Sequence, residues 1–555
     1  MFETRPHRED PGAARTTAPG PGPATAPVSL AVGLVALAAY LWLAPPVSAD
    51  RDSSEFALVL ALDGIAHPTG YPLYTLFGHR FVAALHAAGV DQAYAANAWS
   101  ALGGAVTLAL LHALAARLLP RDAPLAPAER AALPLLPPAL LLLNPGWTQV
   151  ATVAEVHSWH VAWGLGLALA FARGLEGIGT GTPPGARFAA GWGLLCGAGL
   201  AHHATALLAI VPLTVALAGA ARPSPGRAAR GLALAAACAV PPLASYLLLR
   251  WKAAAGAPVQ WSAFENTWAG LWAHATGAQY AGVFGRFAPE PLERALIERA
   301  VLPFLVPGMV GLAMAAARAP RGPRRVVFAG LLATALAQTA FAMLYGVDDP
   351  GAYFLPALAA GLASATPLCA PPAGASPVAR AGRRGAASAL VVLVLALAPG
   401  WTHAALEARR QFIGFDAFLH DLWRRIPVGR GFVLWPHDLS HRLREYQLLR
   451  GERPALEIVN PWTFTHPAAR RRFAERHGFD PLPAVGLAAE DLRASGPLTP
   501  GARRFFEATA RRINQRSELP VVVFEPEVSR VRVLPKAGRG TPTLPGRART
   551  LEPSR

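Results

Sequence analysis

The feature that most constrains this chain is a series of apolar runs, each long enough to cross a bilayer, separated by short polar or arginine-bearing loops. The first runs from Val28 to Ala44. Crossing the hydrocarbon core takes about 20 predominantly apolar residues, held as a helix so that every backbone polar group is satisfied within the segment. Further spans are expected at about 94–116, 131–146, 150–172, 187–202, 203–220, 231–249, 300–317, 326–345, 352–370 and 386–403, about eleven with the first. Several carry proline (Pro134, Pro137, Pro138, Pro212, Pro241, Pro242), which blurs their ends. Apolar residues make up 53% of the chain and charged ones 15%, so most of its 555 residues cannot form soluble domains. The expected fold is mainly α: a polytopic membrane protein with a small α/β domain at its C-terminal end.

The arginines test that count, because cytoplasmic loops collect Lys and Arg. Alternate loops hold Arg117, Arg121 and Arg130; Arg173 and Arg187; Arg222, Arg227 and Arg230; Arg318, Arg321, Arg324 and Arg325; Arg380, Arg383 and Arg384. The loops between them, at 144–149, 201–204 and 346–353, hold almost none. The N-terminus is therefore expected in the cytoplasm, and 49–78, 250–299, 346–353 and all that follows 403 outside. Every loop with notable carboxylates then lies on one side.

Residues 1–27 read as a disordered cytoplasmic tail. Val47, Ser48 and Ala49 also fit a signal-peptidase site, but a retained helix is expected because further spans follow and the tail before it is long. The 28–403 region is the membrane domain. Beyond it, a helix is expected at 404–425, strands at 431–436, 455–460, 520–525 and 529–535, and helices at 438–450, 466–476 and 501–516. This α/β domain ends near 536, and 537–555 is a polar tail. The net charge of +17 comes from scattered arginines, which argues against a nucleic-acid partner. Cys196, Cys238 and Cys369 form no ligand or disulfide pattern. Abundant Ala, Arg, Gly and Pro with little Lys is the bias of a GC-rich bacterial genome, so the bilayer is expected to be a bacterial inner membrane.

The stretch most suited to chemistry is residues 49–78, ADRDSSEFALVLALDGIAHPTGYPLYTLFG. Asp52 and Glu55 stand three apart and share a helix face. His67-Pro68-Thr69-Gly70-Tyr71-Pro72 should form a fixed turn, since residues before proline are driven to extended geometry. Plain structural readings stand beside these: Asp-Ser-Ser-Glu resembles a capping box, and the tyrosines suit a membrane interface. Residues 74–90 look like an amphipathic helix on the membrane surface. Glu155, with His157 and His160, lies at the outer end of a span, where an ionisable group usually faces a cavity. His202 and His203 read as a satisfied pair at a turn, and Asp348 and Asp349 as a solvated loop. Arg250 and Lys252 end a span on the outside, against the charge rule, which hints at an anionic ligand such as a lipid phosphate.

DSSEF followed by GIAHPTGYPLYTLFG, then NPGWTQVATVAEVHSWH, GLAHHAT, HATGAQY (274–280) and YFLP, resembles a bacterial membrane family related to the transmembrane-protein-260-type O-mannosyltransferases, of the GT-C glycosyltransferase superfamily. The resemblance covers roughly 28–405. Relatives usually read Asp-Ser-Gly-Glu where this chain has Asp52-Ser53-Ser54-Glu55, and both carboxylates survive the change. The resemblance implies an inverting glycosyltransferase that takes a sugar from a polyprenyl-phosphate carrier to a protein, lipid or glycan acceptor outside the membrane, with no metal and no cofactor beyond the lipid-linked sugar donor. It implies Asp52 as base, with Glu55 its partner or alternative. His67, Tyr71, Glu155 and His157 would shape the pocket, and Arg250 or Lys252 would hold the phosphate. The rival readings are a transporter or flippase for a lipid-linked glycan, and a non-catalytic scaffold.

Overall fold

The structure is a computed structural model that describes residues 25–49, 52–179, 185–221, 225–285, 287, 289–347, 349–436, 439–483, 485–486, 498–525 and 530–536. The N-terminal tail up to residue 24, the 537–555 tail and Asp348 lie outside these residues. Eight helices among those described are long and apolar enough to cross a membrane: Thr25–Leu43, Gln92–Leu118, His157–Gly179, Pro225–Ala254, Pro291–Arg318, Pro323–Leu344, Gly351–Cys369 and Pro377–Arg424. Ala204–Ala220 is apolar but shorter, and Ala186–His202 fills the place of another expected span with 17 residues. The chain is an integral membrane protein, mainly α.

The expected span at 131–146 is not a single helix. Residues 131–146 break into Pro127–Ala132, a 3₁₀ turn Leu133–Leu135 and Leu136–Leu142. Pro134, Pro137 and Pro138 remove backbone donors and crowd the preceding turn, so the helix restarts rather than runs. The next expected span, 150–172, is displaced. A short helix Pro145–Thr152 stops, four residues run irregularly, and the long helix begins at His157. That break carries Glu155.

The first four helices are α1 (Thr25–Leu43), α2 (Asp52–Leu62), α3 (Pro72–Ala87) and α4 (Gln92–Leu118). The main core gathers α1, α4 and the later spans around Tyr40, Trp147, Phe171, Phe328 and Phe354. α1 leaves Leu30, Leu34, Val35 and Trp42 exposed, which suits acyl chains as well as a protein core would. Ala186–His202 packs backbone to backbone on the helix from Pro225. A Cβ on Gly193 would lie 2.0 Å from the Ala235 carbonyl oxygen, and one on Gly197 2.2 Å from that of Ala239. Small residues four apart are what allow such an approach.

The arginine loops meet at one end. Arg117 pairs with Glu176 at 2.6 Å, Arg384 with Glu129 at 2.6 Å, and Arg324 donates to the Leu118 carbonyl at 2.6 Å. The opposite end collects the carboxylate loops and the α/β domain. The helix Pro377–Arg424 runs unbroken from the last span into that domain. The domain's four strands appear where expected: β1 Gly431–Leu434, β2 Leu456–Val459, β3 Val521–Glu525 and β4 Arg530–Val533. Their order is β2-β1-β3-β4, with β1 parallel to β2 and β3, and β4 antiparallel. Leu419, Trp423, Trp435 and Tyr446 pack one face of the sheet, and Phe464, Phe473, Phe506 and Ile513 the other.

Candidate active site

The local backbone is set before any charged group is placed. Asn97, fully buried in α4, donates to the carbonyls of Pro45 and Val47 at 2.9 Å each and accepts from Ala154 N at 2.8 Å. One side chain thus ties the exit of α1 to the break that carries Glu155. Ser100, one turn on, accepts from Glu155 N and donates to Glu155 O, both at 2.9 Å. α2 opens with Asp52 and Glu55 in its first turn, where carboxylates suit the free N–H groups, and Ser53 to Leu60 are buried. The HPTGYP segment is a turn, as its prolines predict. Gly70 has φ 79° and Tyr71 φ 45°, and Pro72 starts α3. Gly70 is also a close approach, since a Cβ there would lie 2.7 Å from Leu249 and 2.9 Å from the His274 ring.

This turn swings His67 back over α2. Its backbone N–H donates to Glu55 Oε1 at 2.7 Å, and its Nδ1 meets Glu55 Oε2 at 3.0 Å. Nε2 lies 2.9 Å from the Tyr71 hydroxyl, which donates to the Pro68 carbonyl at 3.1 Å, and 3.6 Å from Asp52 Oδ2. The pattern fits an imidazolium with both nitrogens donating. Burial alone would strip that proton, but the Asp52 and Glu55 carboxylates outweigh it and lift the imidazole to about 10. Burial would likewise raise the Glu55 carboxyl, yet the charge and hydrogen bonds of His67 hold it below its usual range. The two carboxylates therefore differ. The Glu55 side chain is 4% exposed with both oxygens taken by His67, whereas that of Asp52 is 43% exposed.

Asp52 opens on a cavity of about 80 Å³ with Glu155, His157, Glu293, Asp349 and Tyr353 in its walls. Burial, then the charges of Asp52 and Asp349, push the Glu155 carboxyl well above its ordinary value, which favours its protonated form. Behind it the rings of Tyr71, His203, His157, His160 and Tyr353 form a continuous cluster, with His203 and Tyr71 5.5 Å apart. His203 accepts from Thr205 Oγ1 at 2.7 Å, and His202 Nε2 meets the Val156 carbonyl at 3.2 Å. The pair read as structural is hydrogen-bonded, and it also backs the site.

The structure brings Asp52, Glu55, His67, Tyr71, Glu155 and His157 together and separates two residues from them. Lys252 is buried and pairs with Asp63 at 2.6 Å, also donating to the Gly64 carbonyl. Arg250 stacks its guanidinium 4.3 Å over Trp268 and donates to Asn266. Asp52, Glu55 and His67 are also the group that could share a cation, with ligand atoms all within 4.8 Å of one another. As found, the His67 ring fills that place between the carboxylates. α3 is half-buried on α2 and α4, with Pro72, Tyr74, Thr75, Gly78 and Val82 inside.

Sequence reasoning missed Asn97 and Ser100, though polar residues three apart in an apolar span were a signal. It gave the external α/β domain a place in binding the acceptor but named none of its residues. Arg442 donates to the Ser48 and Ala49 carbonyls and pairs with Asp416 at 3.1 Å, and Glu445 accepts from Ser48 Oγ. Arg444 donates to the Pro258 carbonyl at 3.1 Å, and Arg471 pairs with Glu265 at 2.6 Å. These contacts clamp the domain onto the chain just before α2 and onto the 258–265 segment.

Residues 52–222 match the family model described as the protein O-mannosyl-transferase TMEM260 N-terminal domain, and this bears out the resemblance drawn from DSSEF, HPTGYP and AHHAT. No curated protein matches the chain. Among solved structures, the chain aligns with ArnT from Cupriavidus metallidurans bound to undecaprenyl phosphate at 14% identity, over 90% of this chain and 93% of that one, with a TM-score of 0.49. It aligns with oligosaccharyltransferase AglB from Archaeoglobus fulgidus, in complex with an inhibitory peptide and a dolichol-phosphate, at 13% identity over 89% and 69%, with a TM-score of 0.45.

Proposed function

We propose that the protein is an inverting glycosyltransferase that moves a sugar from a polyprenyl-phosphate carrier to an acceptor on the outer face of a bacterial inner membrane, with its N-terminus in the cytoplasm. The observation that carries this reading is the asymmetry of the two carboxylates. Asp52 is presented to a cavity, while Glu55 and His67 hold the turn around it. The family match over the same residues supports it.

In this reading Asp52 takes the acceptor's hydroxyl proton as the oxygen attacks the anomeric carbon, and the bond to the lipid phosphate breaks with its electron pair leaving on phosphate. One displacement inverts the centre. A positioned carboxylate contributes about 10²- to 10⁴-fold as base. The phosphate is already a good leaving group, so the remaining need is charge stabilisation. Arg250 suits that task better than Lys252. It stands among the exposed Trp251, Trp268 and Trp272, a composition that fits the bilayer interface, whereas the Lys252 charge is already matched by Asp63. Glu155 and the ring cluster around Tyr71 would line the sugar pocket.

The test is sugar transfer by membranes holding equal amounts of wild type, Asp52→Asn or Glu55→Gln, supplied with labelled polyprenyl-phosphate sugars and a cell-envelope extract. Transfer by the wild type that is lost in Asp52→Asn is the expected result. Equal transfer by all three would remove Asp52 and Glu55 from catalysis. No transfer with any donor would favour the transporter and scaffold readings.

A further inference from the structure

A second cavity, of about 220 Å³, reaches the same carboxylate cluster from the other side. Its floor includes Glu55. Its walls come from the 259–262 segment with Trp261, from the helix Leu439–Leu448 with His441 and Arg444, and from the helix Pro467–His477 with Arg472 and Arg476. It lies at the carboxyl end of β2, through Ile458, Val459 and Asn460, which is the edge where open α/β sheets take ligands.

The charge here is unbalanced. Glu55 is matched by His67, and Glu457, also in the wall, is matched by Arg476 at 3.1 Å and His477 at 3.0 Å. Among the described residues, the guanidinium groups of Arg444 and Arg472 hydrogen-bond only to neutral carbonyls, Pro258 for Arg444, and Phe264 and Ser262 for Arg472, although the Glu55 charge reaches Arg444 and that of Glu265 reaches Arg472. His441 adds a ring whose buried Nδ1 has no hydrogen-bond partner among the described residues. Two guanidinium groups beside a ring nitrogen are donors suited to an oxyanion.

We propose that this cavity docks the acceptor, and that the acceptor carries an acidic group, a phosphate or a carboxylate, held by Arg444 and Arg472 beside the Glu55 side of the carboxylate cluster. This rests on the glycosyltransferase reading and names the acceptor class for that same site. It assigns the α/β domain a direct part in substrate choice. The domain brings the cations, and the clamp at Ser48 and Ala49 keeps them against α2.

The experiment is thermal unfolding of the full-length protein in detergent, titrated with sodium phosphate, sodium glucuronate or sodium chloride at matched ionic strength. Phosphate or glucuronate should raise the midpoint saturably above chloride, and the better of the two names the acidic group. Arg444→Gln should weaken that binding about tenfold or more. Arg476→Glu, a reversal at a side chain 66% exposed and so of little risk to folding, should weaken it in the same direction. Equal midpoints with all three salts, or unchanged binding in both variants, would overturn the proposal. So would loss of binding in Arg250→Gln with Arg444→Gln unaffected, since the anion would then sit at the membrane edge. Binding is read without any sugar transfer, so the two readings fail separately. Transfer without anion binding sinks the acceptor site alone. Anion binding without transfer by any donor sinks the glycosyltransferase reading and leaves an anion site that is not an acceptor site.

Discussion

Two cavities meet at the Asp52–Glu55–His67 cluster, and they differ in sign. The one at Asp52 is walled by Glu155, Glu293 and Asp349, all from the membrane domain. The one at Glu55 is walled by His441, Arg444, Arg472 and Arg476, all from the α/β domain. Two carboxylates three residues apart on one helix thus face opposite environments. Asp52 stays accessible among acidic side chains, and Glu55 is consumed in a buried ion pair. The lesson is that a pair of acids need not be a pair of bases, because the surroundings assign one to solvent and the other to structure.

Asp52→Asn breaks this comparison most. It leaves the size of the side chain unchanged and should cut transfer by about 10²- to 10⁴-fold, with a smaller drop in unfolding midpoint than Glu55→Gln because only one of the two carboxylates that hold the His67 charge is lost. Glu55→Gln should do the reverse in emphasis. An amide cannot accept from both His67 donors, so the buried imidazolium loses its match and stability falls by about 3–5 kcal/mol. Denaturant unfolding of the two variants side by side would show whether the roles divide in this way.

Asn97→Ala tests the frame beneath both cavities. It strands the Pro45 and Val47 carbonyls and the Ala154 N–H, and about 1–3 kcal/mol for a stranded buried group predicts a loss that denaturant unfolding resolves. The pH dependence of His67 is subtler. Its folded value of about 10 lies above the ordinary 6.5, so its charge stabilises fully below pH 6.5, progressively less above it, and not at all beyond pH 10. The gap in midpoint between wild type and His67→Gln should therefore narrow as pH rises across that window. A gap that widens would mean a neutral His67.

The smallest effect sharpens the acidic side. Because burial and the neighbouring carboxylates favour the protonated Glu155 side chain, Glu155→Gln should change transfer by less than about threefold. A loss as large as that of Asp52→Asn would show that Glu155 acts as a carboxylate and would reopen the choice of base.

Much of the architecture was legible because lipid leaves the chain few options. A long apolar run must be a helix, and arginine must gather at one end, so the long helices and the clustering of the arginine loops follow from local composition. The failure at 131–146 has an equally local cause in three prolines, which composition counted as apolar and the backbone treats as breaks. The strands of the C-terminal domain were legible for the same reason: β-branched runs bounded by Gly, Pro and polar residues.

The site was half legible. Asp52, Glu55, His67 and Tyr71 lie within twenty residues, and the HPTGYP prolines announce the turn that folds His67 back over α2. Spacing could not say which carboxylate would be buried, because that depends on packing by Asn97 and on the domain clamped over Glu55 by Arg442 and Glu445, nearly four hundred residues away. It paired Arg250 with Lys252 as neighbours, and tertiary contacts separated them, giving one to Asp63 and the other to Trp268. By itself the sequence determined which stretches form long apolar helices and which acids stand nearest their ends, since hydrophobic burial and turn chemistry act over a few residues. Only the tertiary structure decided which acid meets solvent and which cations face it, because desolvation and pairing are set by whatever the fold brings alongside.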